Sequence, residues 1–344
     1  MRINSVDPIR VCDNGGWTDT WFARHGSIFN IAVHPCAEVQ LWVKPLAGPR
    51  ITIHAENYGE RYSIDPHRSA RGGVYTKHPL LEAAFDYMHL PADVAVEVSI
   101  YCEAPAGCST GTSAAVSVAL LGALDCLTPG RMSAAEVASA AQEIETKLLG
   151  QQCGIQDQIA SAHGGISYIT MDAYPHATVA AVPVAAEVAW ELESRLLLIY
   201  LGDSHSSSRV HEKVIAGLTP DDRRLGPLRL TAAASRDALV AGDLRALGRA
   251  MITNTEAQGN LHGELISAAH QRVIDIAREA GAVGWKVNGA GGDGGSVTLL
   301  AGEDRAGTRA LLRTIASDNP RFQNIPIRLA GHGLRRWVVT DPPF

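Results

Sequence analysis

Three short polar segments carry the residues whose types and spacing could do chemistry. The first, Pro105 to Ala115, reads Pro-Ala-Gly-Cys-Ser-Thr-Gly-Thr-Ser-Ala-Ala. Gly107 and Gly111 let the backbone curl so that successive N–H groups point inward, and the hydroxyls of Ser109, Thr110, Thr112 and Ser113 add donors. A helix beginning near Thr112 would bring the partial positive charge of its N-terminus to the same place. Together these make an anion site suited to phosphate. It is not a Walker A loop, because no Gly-Lys-Ser/Thr follows. A Ser/Thr-rich helix cap is the plainer alternative. The segment also contains a literal G-x-S-x-G from Gly107 to Gly111, the nucleophile elbow of hydrolases. In that reading Ser109 would attack, with His332 as base. Against it, Glu103-Ala-Pro-Ala separates the serine from the strand it should directly follow.

The second segment, Asn288 to Gly295, reads Asn-Gly-Ala-Gly-Gly-Asp-Gly-Gly and includes G-x-G-x-x-G at Gly289, Gly291 and Gly294. A dinucleotide fingerprint opens a helix, whereas Ser-Val-Thr-Leu-Leu follows here and reads as a strand. A strand–glycine loop–strand fits a tight connection passing close to a ligand. The third segment, Arg10 to Asp19, passes from buried-strand character through Gly15 and Gly16 to Trp17, Thr18 and Asp19. Asp19 is the natural acceptor for a substrate hydroxyl, or else a local cap.

The elements that must hold these loops can be read from periodicity and punctuation. Ile28 to His34, Glu38 to Lys44, Ile51 to His54 and Val94 to Tyr101 are β-rich runs. Thr112 to Leu127 reads as a helix of small and apolar residues. A second helix starts at Ser133, where Ser133 and Glu136 form a capping-box pair, and runs to Leu149 before Gly150. Ile166 to Thr170 is a strand, and Pro175 and Pro183 mark an irregular stretch suited to a domain boundary. Arg195 to Leu201 is a strongly apolar strand, followed by helical patterns to Ala280. Strands at Ala282–Val287 and Ser296–Ala301 flank the glycine cluster; a helix over 305–317 and short strands near Ile325 to Leu329 and Arg336 to Val339 end the chain. Strands in groups with helices between them predict an α+β fold.

Taken together, the segments resemble the GHMP kinase family (galactokinase, homoserine kinase, mevalonate kinase and phosphomevalonate kinase). Arg10, Val11, Gly15, Thr18 and Asp19 match the family's first motif in register. Pro105, Gly107, Gly111, Ser113, Ala114 and Ala115 match its second, and Asn288 to Gly295 its glycine-rich third. Gly154 to Gly165 resembles the segment that carries the catalytic aspartate. The four occur in the family's order over nearly the whole chain, and the Gly-Gly-Trp-Thr-Asp and Gln-Asp-Gln versions look similar to the heptose-phosphate kinase branch.

The resemblance implies two domains. An N-terminal ATP-binding part over 1–185 would be like ribosomal protein S5, and a C-terminal part over 186–344 would be ferredoxin-like. It implies transfer of the γ-phosphate of ATP, with Mg²⁺, to a hydroxyl of a sugar or sugar phosphate, the anomeric hydroxyl included. Pro105, Gly107, Cys108, Ser109, Thr110, Gly111, Thr112 and Ser113 would hold the nucleotide, and Ser113 and Glu145 the metal. Glu143 points to a different helix face from Glu145, so one of the two would serve. Asp157 would take or orient the hydroxyl proton. Arg10 would keep that carboxylate ionised and stabilise the transferring group. Asp19 with Gly16, Trp17, Thr18, Gly289, Gly291 and Gly292 would face the acceptor; His205 and Arg209 would grip a phosphate or carboxylate on it, or else the segment from Asp203 to Arg209 would be a plain Ser/Asp helix cap. Gln156 and Gln158 could assist, or serve as structural amides. Asp13 and Asn14 replace apolar residues of the galactokinase pattern, and Trp17 replaces its histidine. The added carboxylate would recognise extra hydroxyls or disfavour a phosphorylated acceptor. A relative that senses sugar or nucleotide without turnover is the non-enzymatic alternative, against which Arg10, Glu145 and Asp157 all count.

Bulk properties agree with a small-molecule enzyme. Of 344 residues, 46% are hydrophobic and 19% charged, with a net charge of −6. This leaves no basic field for nucleic acid or an acidic membrane surface. Met1 to Arg10 lacks the apolar core of a signal peptide, and no run is long and apolar enough to span a bilayer. The six cysteines, Cys12, Cys36, Cys102, Cys108, Cys126 and Cys153, lack CxxC spacing and read as reduced thiols. A cytoplasmic monomer or homodimer acting on a small sugar is the expectation.

Overall fold

The computed structural model describes residues 1–64, 75–203, 207–219 and 222–340, with the side chains of 207–209 and 211 outside the description. The chain opens with β1 (Arg2–Asn14), which pairs antiparallel with the long β2 (Gly26–Pro45). Next come β3 (Ile51–Ala55), β4 (Glu60–Ile64), α1 (Pro79–Met88) and β5 (Val94–Cys102). Then follow α2 (Thr112–Asp125), α3 (Ala134–Glu143) and α4 (Gln156–His163), and after them the hairpin β6 (Ile166–Ala173) and β7 (His176–Ala181). The second half supplies α5 (Ala186–Arg195), β8 (Leu196–Tyr200), α6 (Ser207–Ala216), α7 (Leu225–Val240), α8 (Leu244–Gly259) and α9 (Ala268–Glu279). It ends with β9 (Gly284–Val287), β10 (Ser296–Leu300), α10 (Arg305–Asp318), β11 (Gln323–Ile325), β12 (Arg328–Leu329) and β13 (Arg335–Val339).

Two sheets result, and the fold is α+β as expected. The larger runs β13-β1-β2-β5-β3-β4, with β12 and the β6–β7 hairpin also on β2. The smaller is antiparallel, in the order β11-β8-β10-β9. The runs at Ile28–His34 and Glu38–Lys44 are one strand, whose register against β1 shifts between Pro8 and Ile9. Between Pro175 and Pro183 the chain forms β7 rather than an irregular stretch. Residue 185 falls just before α5, but β12 and β13 return to pair with β2 and β1. The two sheets therefore do not divide the chain into two uninterrupted stretches.

Helix α2 shows why the site lies where it does. It is apolar on nearly every face, and eleven residues from Ala114 to Asp125 are buried, as expected of a helix surrounded by protein. It packs on β1, β2 and β5 beneath α1, α3 and α4. Its N-terminus is thereby fixed beside the end of β1. The capping box at Ser133 forms as predicted. After Glu143 the helix changes to a π turn, Ile144–Leu148, an irregularity that often marks functional positions.

Candidate active site

The loop from β5 to α2 ends in Gly111, which caps the helix with φ +69° and no side-chain acceptor. Its first-turn amides are left free of a side-chain cap, with the Ser113 hydroxyl exposed beside them. Arg10 fastens the loop to β1. Its backbone N–H donates to the Thr110 carbonyl (2.9 Å), and its guanidinium donates to the Ser109 carbonyl.

The same guanidinium holds Asp157, in the first turn of α4. Nε lies 2.9 Å and Nη2 2.8 Å from Asp157 Oδ1. Arg10 is 3% exposed and Asp157 32%, so the carboxylate faces the cavity while its partner is buried. Burial works against the Arg10 charge, but Asp157 and Asp13 outweigh it and hold the guanidinium pKa up. A Cβ on Gly111 would come 3.3 Å from Asp157 Cγ, so the carboxylate sits directly against the helix-capping glycine. A second link joins β1 to α4 one helical turn along: the Ser161 hydroxyl contacts both Asp7 Oδ2 and the Pro8 carbonyl.

Asp19 borders the cavity and also caps a helix. Its Oδ2 accepts the N–H groups of Ile155 (3.0 Å) and Gln156 (3.1 Å), capping α4 from a distant part of the chain. Gly154 makes room for it, since a Cβ there would collide with the carboxylate. Burial pushes the Asp19 carboxyl up to about 6; the Gln156 amide opposes this and the Asp157 charge adds to it. Glu145 emerges from the π turn, buried, with Gln158 Nε2 donating to it at 2.8 Å. Burial raises its carboxyl to about 7, against the Gln158 hydrogen bond and with a push from Asp157. Glu143 turns away to Lys147 and Tyr87.

These groups surround a cavity of about 500 Å³. Of the residues singled out in the sequence, Arg10, Trp17, Asp19, Gly107, Cys108, Ser109, Gly111, Thr112, Ser113, Glu145, Asp157 and Gly289 line it. Gln156 and Gln158 also line it, and their Oε1 atoms have no hydrogen-bond partner among the described residues. Pro105, Thr110, Gly16, Thr18, Gly291 and Gly292 do not line it. Thr18 is fully buried and donates to the Gly15 carbonyl at 2.7 Å, holding the turn. Gly292 donates to Leu265 at 3.0 Å, and a Cβ on Gly291 would strike that same carbonyl. His205 lies outside the described residues, and Arg209 is placed only as backbone within α6.

Two expectations need correction. Asp13 does not reach the cavity; it is fully buried and paired with Lys286. It therefore cannot read acceptor hydroxyls, and Asn14 is likewise internal, donating to Ser235 at 2.6 Å. His332 packs its backbone on Gly164, beyond the end of α4 opposite Asp157, and does not line the cavity, so no Ser109–His332 pair forms.

The far end of the cavity was not visible in the sequence. Asn57, Tyr58, His78 and Leu80 line it, with the Tyr58 and His78 rings 4.8 Å apart. Asn57 is held by both backbone groups of Cys102. No local motif marks these residues; the pairing of β3 with β5 brings Asn57 and Tyr58 to the end of β5, and the start of α1 adds His78 and Leu80.

Residues 78–165 match the family described as GHMP kinases N terminal domain. The mevalonate kinase of Thermococcus sibiricus is 30% identical over 254 residues, covering 70% of this chain and 68% of that protein. The D-glycero-alpha-D-manno-heptose 7-phosphate kinase of Campylobacter jejuni is 26% identical over 199 residues, 56% of this chain and 58% of that one. Among solved structures, a D-glycero-D-manno-heptose 1-phosphate kinase from Bacteroides thetaiotaomicron superposes with a TM-score of 0.75. It is 22% identical, over 98% of this chain and all of the other. An uncapped helix start, a glycine-lined loop and an arginine-held carboxylate around one cavity are the parts of a small-molecule kinase. The chain belongs to the GHMP kinase family.

Proposed function

We propose that the protein transfers the γ-phosphate of ATP to a hydroxyl of a sugar or sugar phosphate, with the anomeric hydroxyl as the first candidate. The observation that carries this reading is the contact of Asp157 with both Arg10 and Gly111. It sets a carboxylate at the point where a phosphate on the α2 N-terminus would meet an acceptor. Phosphoryl transfer asks for alignment and charge neutralisation more than covalent chemistry. The free amides of α2 and the loop over 107–113 bind the phosphates. Asp157 accepts or orients the hydroxyl proton, and Arg10 stabilises charge on the transferring group. The cavity end at Tyr58 and His78 offers aromatic surface for the base. Asp19 and the free amide oxygen of Gln156 supply hydrogen-bond acceptors for hydroxyls.

Mg²⁺ fits the donor set on one observation: Glu145 is a buried carboxylate raised toward neutrality, facing the same cavity as the Ser113 hydroxyl. Sparse oxygen ligation suits a cation that keeps several waters. When bound it would neutralise phosphate charge, with Glu145 and Ser113 holding it.

The test is ADP release with Mg-ATP against free sugars and sugar phosphates, including heptose 7-phosphate, hexoses, pentoses and uronic acids, with mevalonate alongside. Turnover with a sugar that disappears in Asp157→Ala supports the reading. Turnover with mevalonate alone would overturn the sugar assignment and leave the kinase.

A further inference from the structure

Asp13 and Lys286 are charged residues sealed inside the protein, 0% and 1% exposed, and neither lines the cavity. Lys286 Nζ lies 3.3 Å from Asp13 Oδ1 and 2.9 Å from Gln258 Oε1. Burying such a pair is costly unless the remaining hydrogen-bonding positions are filled. Here they are filled by the Val287 carbonyl, which accepts from Lys286, and by one residue of the glycine-rich loop. The Gly289 N–H donates to Asp13 (3.0 Å to Oδ2), and the Gly289 carbonyl accepts from Gln258 Nε2 (3.1 Å). The four groups close a ring: Gly289 to Asp13, Asp13 to Lys286, Lys286 to Gln258, and Gln258 back to Gly289.

The ring spans three elements, β1, α8 and the β9 strand with its following loop. What it fixes is next to the reacting groups. A Cβ on Gly289 would lie 3.1 Å from the Ser109 carbonyl oxygen and 3.4 Å from Arg10 Nη2. Gly289 therefore sits against the phosphate loop and against the guanidinium that holds Asp157. Burial pushes the Lys286 ammonium pKa down while the Asp13 charge opposes the change.

We propose that Asp13 is a positioning residue: its carboxylate, kept in place by the buried contact with Lys286, accepts the Gly289 N–H, holds Gly289 against Arg10 and Ser109 and so sets the glycine-rich loop for transfer. The pair touches no substrate and acts through Gly289. The inference rests on the kinase reading of the site, but part of its test does not.

Two double variants separate positioning from simple stability. Asp13→Leu with Lys286→Met removes both charges and the acceptor for the Gly289 N–H. Asp13→Asn with Lys286→Met removes both charges but leaves an amide oxygen to accept it. Both leave Gln258 Oε1 without its lysine donor, and the Leu variant also leaves the Gly289 N–H unpaired, so both are expected to melt below the parent, the Leu variant lower, and exchange and kcat are read well below either melting temperature. Amide exchange over 286–296, measured without substrate, is expected to quicken at least tenfold in the Leu double variant and to stay near parent in the Asn one. With an acceptor found in the panel, kcat should fall about 10–100-fold in the Leu variant, the scale of a small misplacement. It should stay within about threefold of parent in the Asn variant, and KM should change little in either. Equal exchange and equal kcat in the two variants would overturn the proposal. Altered exchange of the predicted kind with no turnover even in the parent would count against the acceptor panel and not against the pair.

Discussion

Two links tie β1 to α4, and they differ in what the strand side chain must be. Arg10 and Asp157 meet at the cavity edge, where the carboxylate is 32% exposed. Asp7 and Ser161 meet where both are buried. The Ser161 hydroxyl has one proton and two oxygen neighbours, Asp7 Oδ2 and, at 2.6 Å, the Pro8 carbonyl. If the carbonyl takes that proton, the proton in the other contact comes from Asp7. Burial agrees: it drives the Asp7 carboxyl well above its usual range, with Ser161 opposing only in part. Asp7 is a buried clasp whose carboxyl is pushed toward its neutral form, while Arg10 is a permanent charge at the cavity. One strand and one helix thus carry a structural contact and a chemical contact a few residues apart, separated by access to water.

Substitutions can break that contrast, beginning with the largest effect. Asp157→Asn is nearly isosteric but cannot accept a proton as a carboxylate does. It should lower kcat by about 10³-fold, within the range for general acid–base groups, with an unchanged melting temperature. Arg10→Lys keeps the charge and loses the fork that reaches Asp157 and the Ser109 carbonyl together. A fall in kcat of roughly 10²-fold is expected, read from ADP release at saturating substrates. Glu145→Gln should act on the metal requirement, raising the half-saturating Mg²⁺ concentration about tenfold with kcat largely recovered at high Mg²⁺.

Asp7→Asn should leave kcat within about twofold and change only how stability depends on pH. A carboxyl whose folded pKa is raised binds its proton more tightly folded than unfolded. It therefore stabilises fully below the unfolded value of about 3.9 and loses that contribution as pH rises toward the folded pKa. Asn does not titrate. The melting temperature of the parent should drop relative to Asp7→Asn between pH 5 and pH 8. A constant gap across that range would mean that Asp7 is ionised.

The sequence made the loops legible because their signals are local. Gly107, Gly111 and the hydroxyls around them declare an anion site, and Ser133 with Glu136 declares a helix start, without knowledge of distant chain. Glu145 was placed only by resemblance, since a π turn breaks the helical period that would show which face it occupies. Thr18 looked like a substrate group because a hydroxyl beside Asp19 is exposed in any one-dimensional reading; its bond to Gly15 appears only when the turn closes. Asp13 looked like an acceptor-reading carboxylate because its partner Lys286 lies in the other half of the chain. Asp7 carried no signal at all, for an acidic residue beside a proline reads as a loop until β2 and α4 cover it. What sequence conceals in this protein is mainly the long-range pairing of charges.

The double use of Asp19 limits how the enzyme can be redirected. One carboxylate oxygen holds the first amides of α4, and the side chain also lines the cavity beside Asp157. A change at this position meant to welcome a different acceptor would also loosen the helix on which Asp157 rides. On the proposed reading of the site, acceptor choice and transfer chemistry would be tied together through this residue. A designer seeking new substrates would do better to leave it alone and diversify Trp17, Gln152 and Ala290, which border the same space without capping that helix.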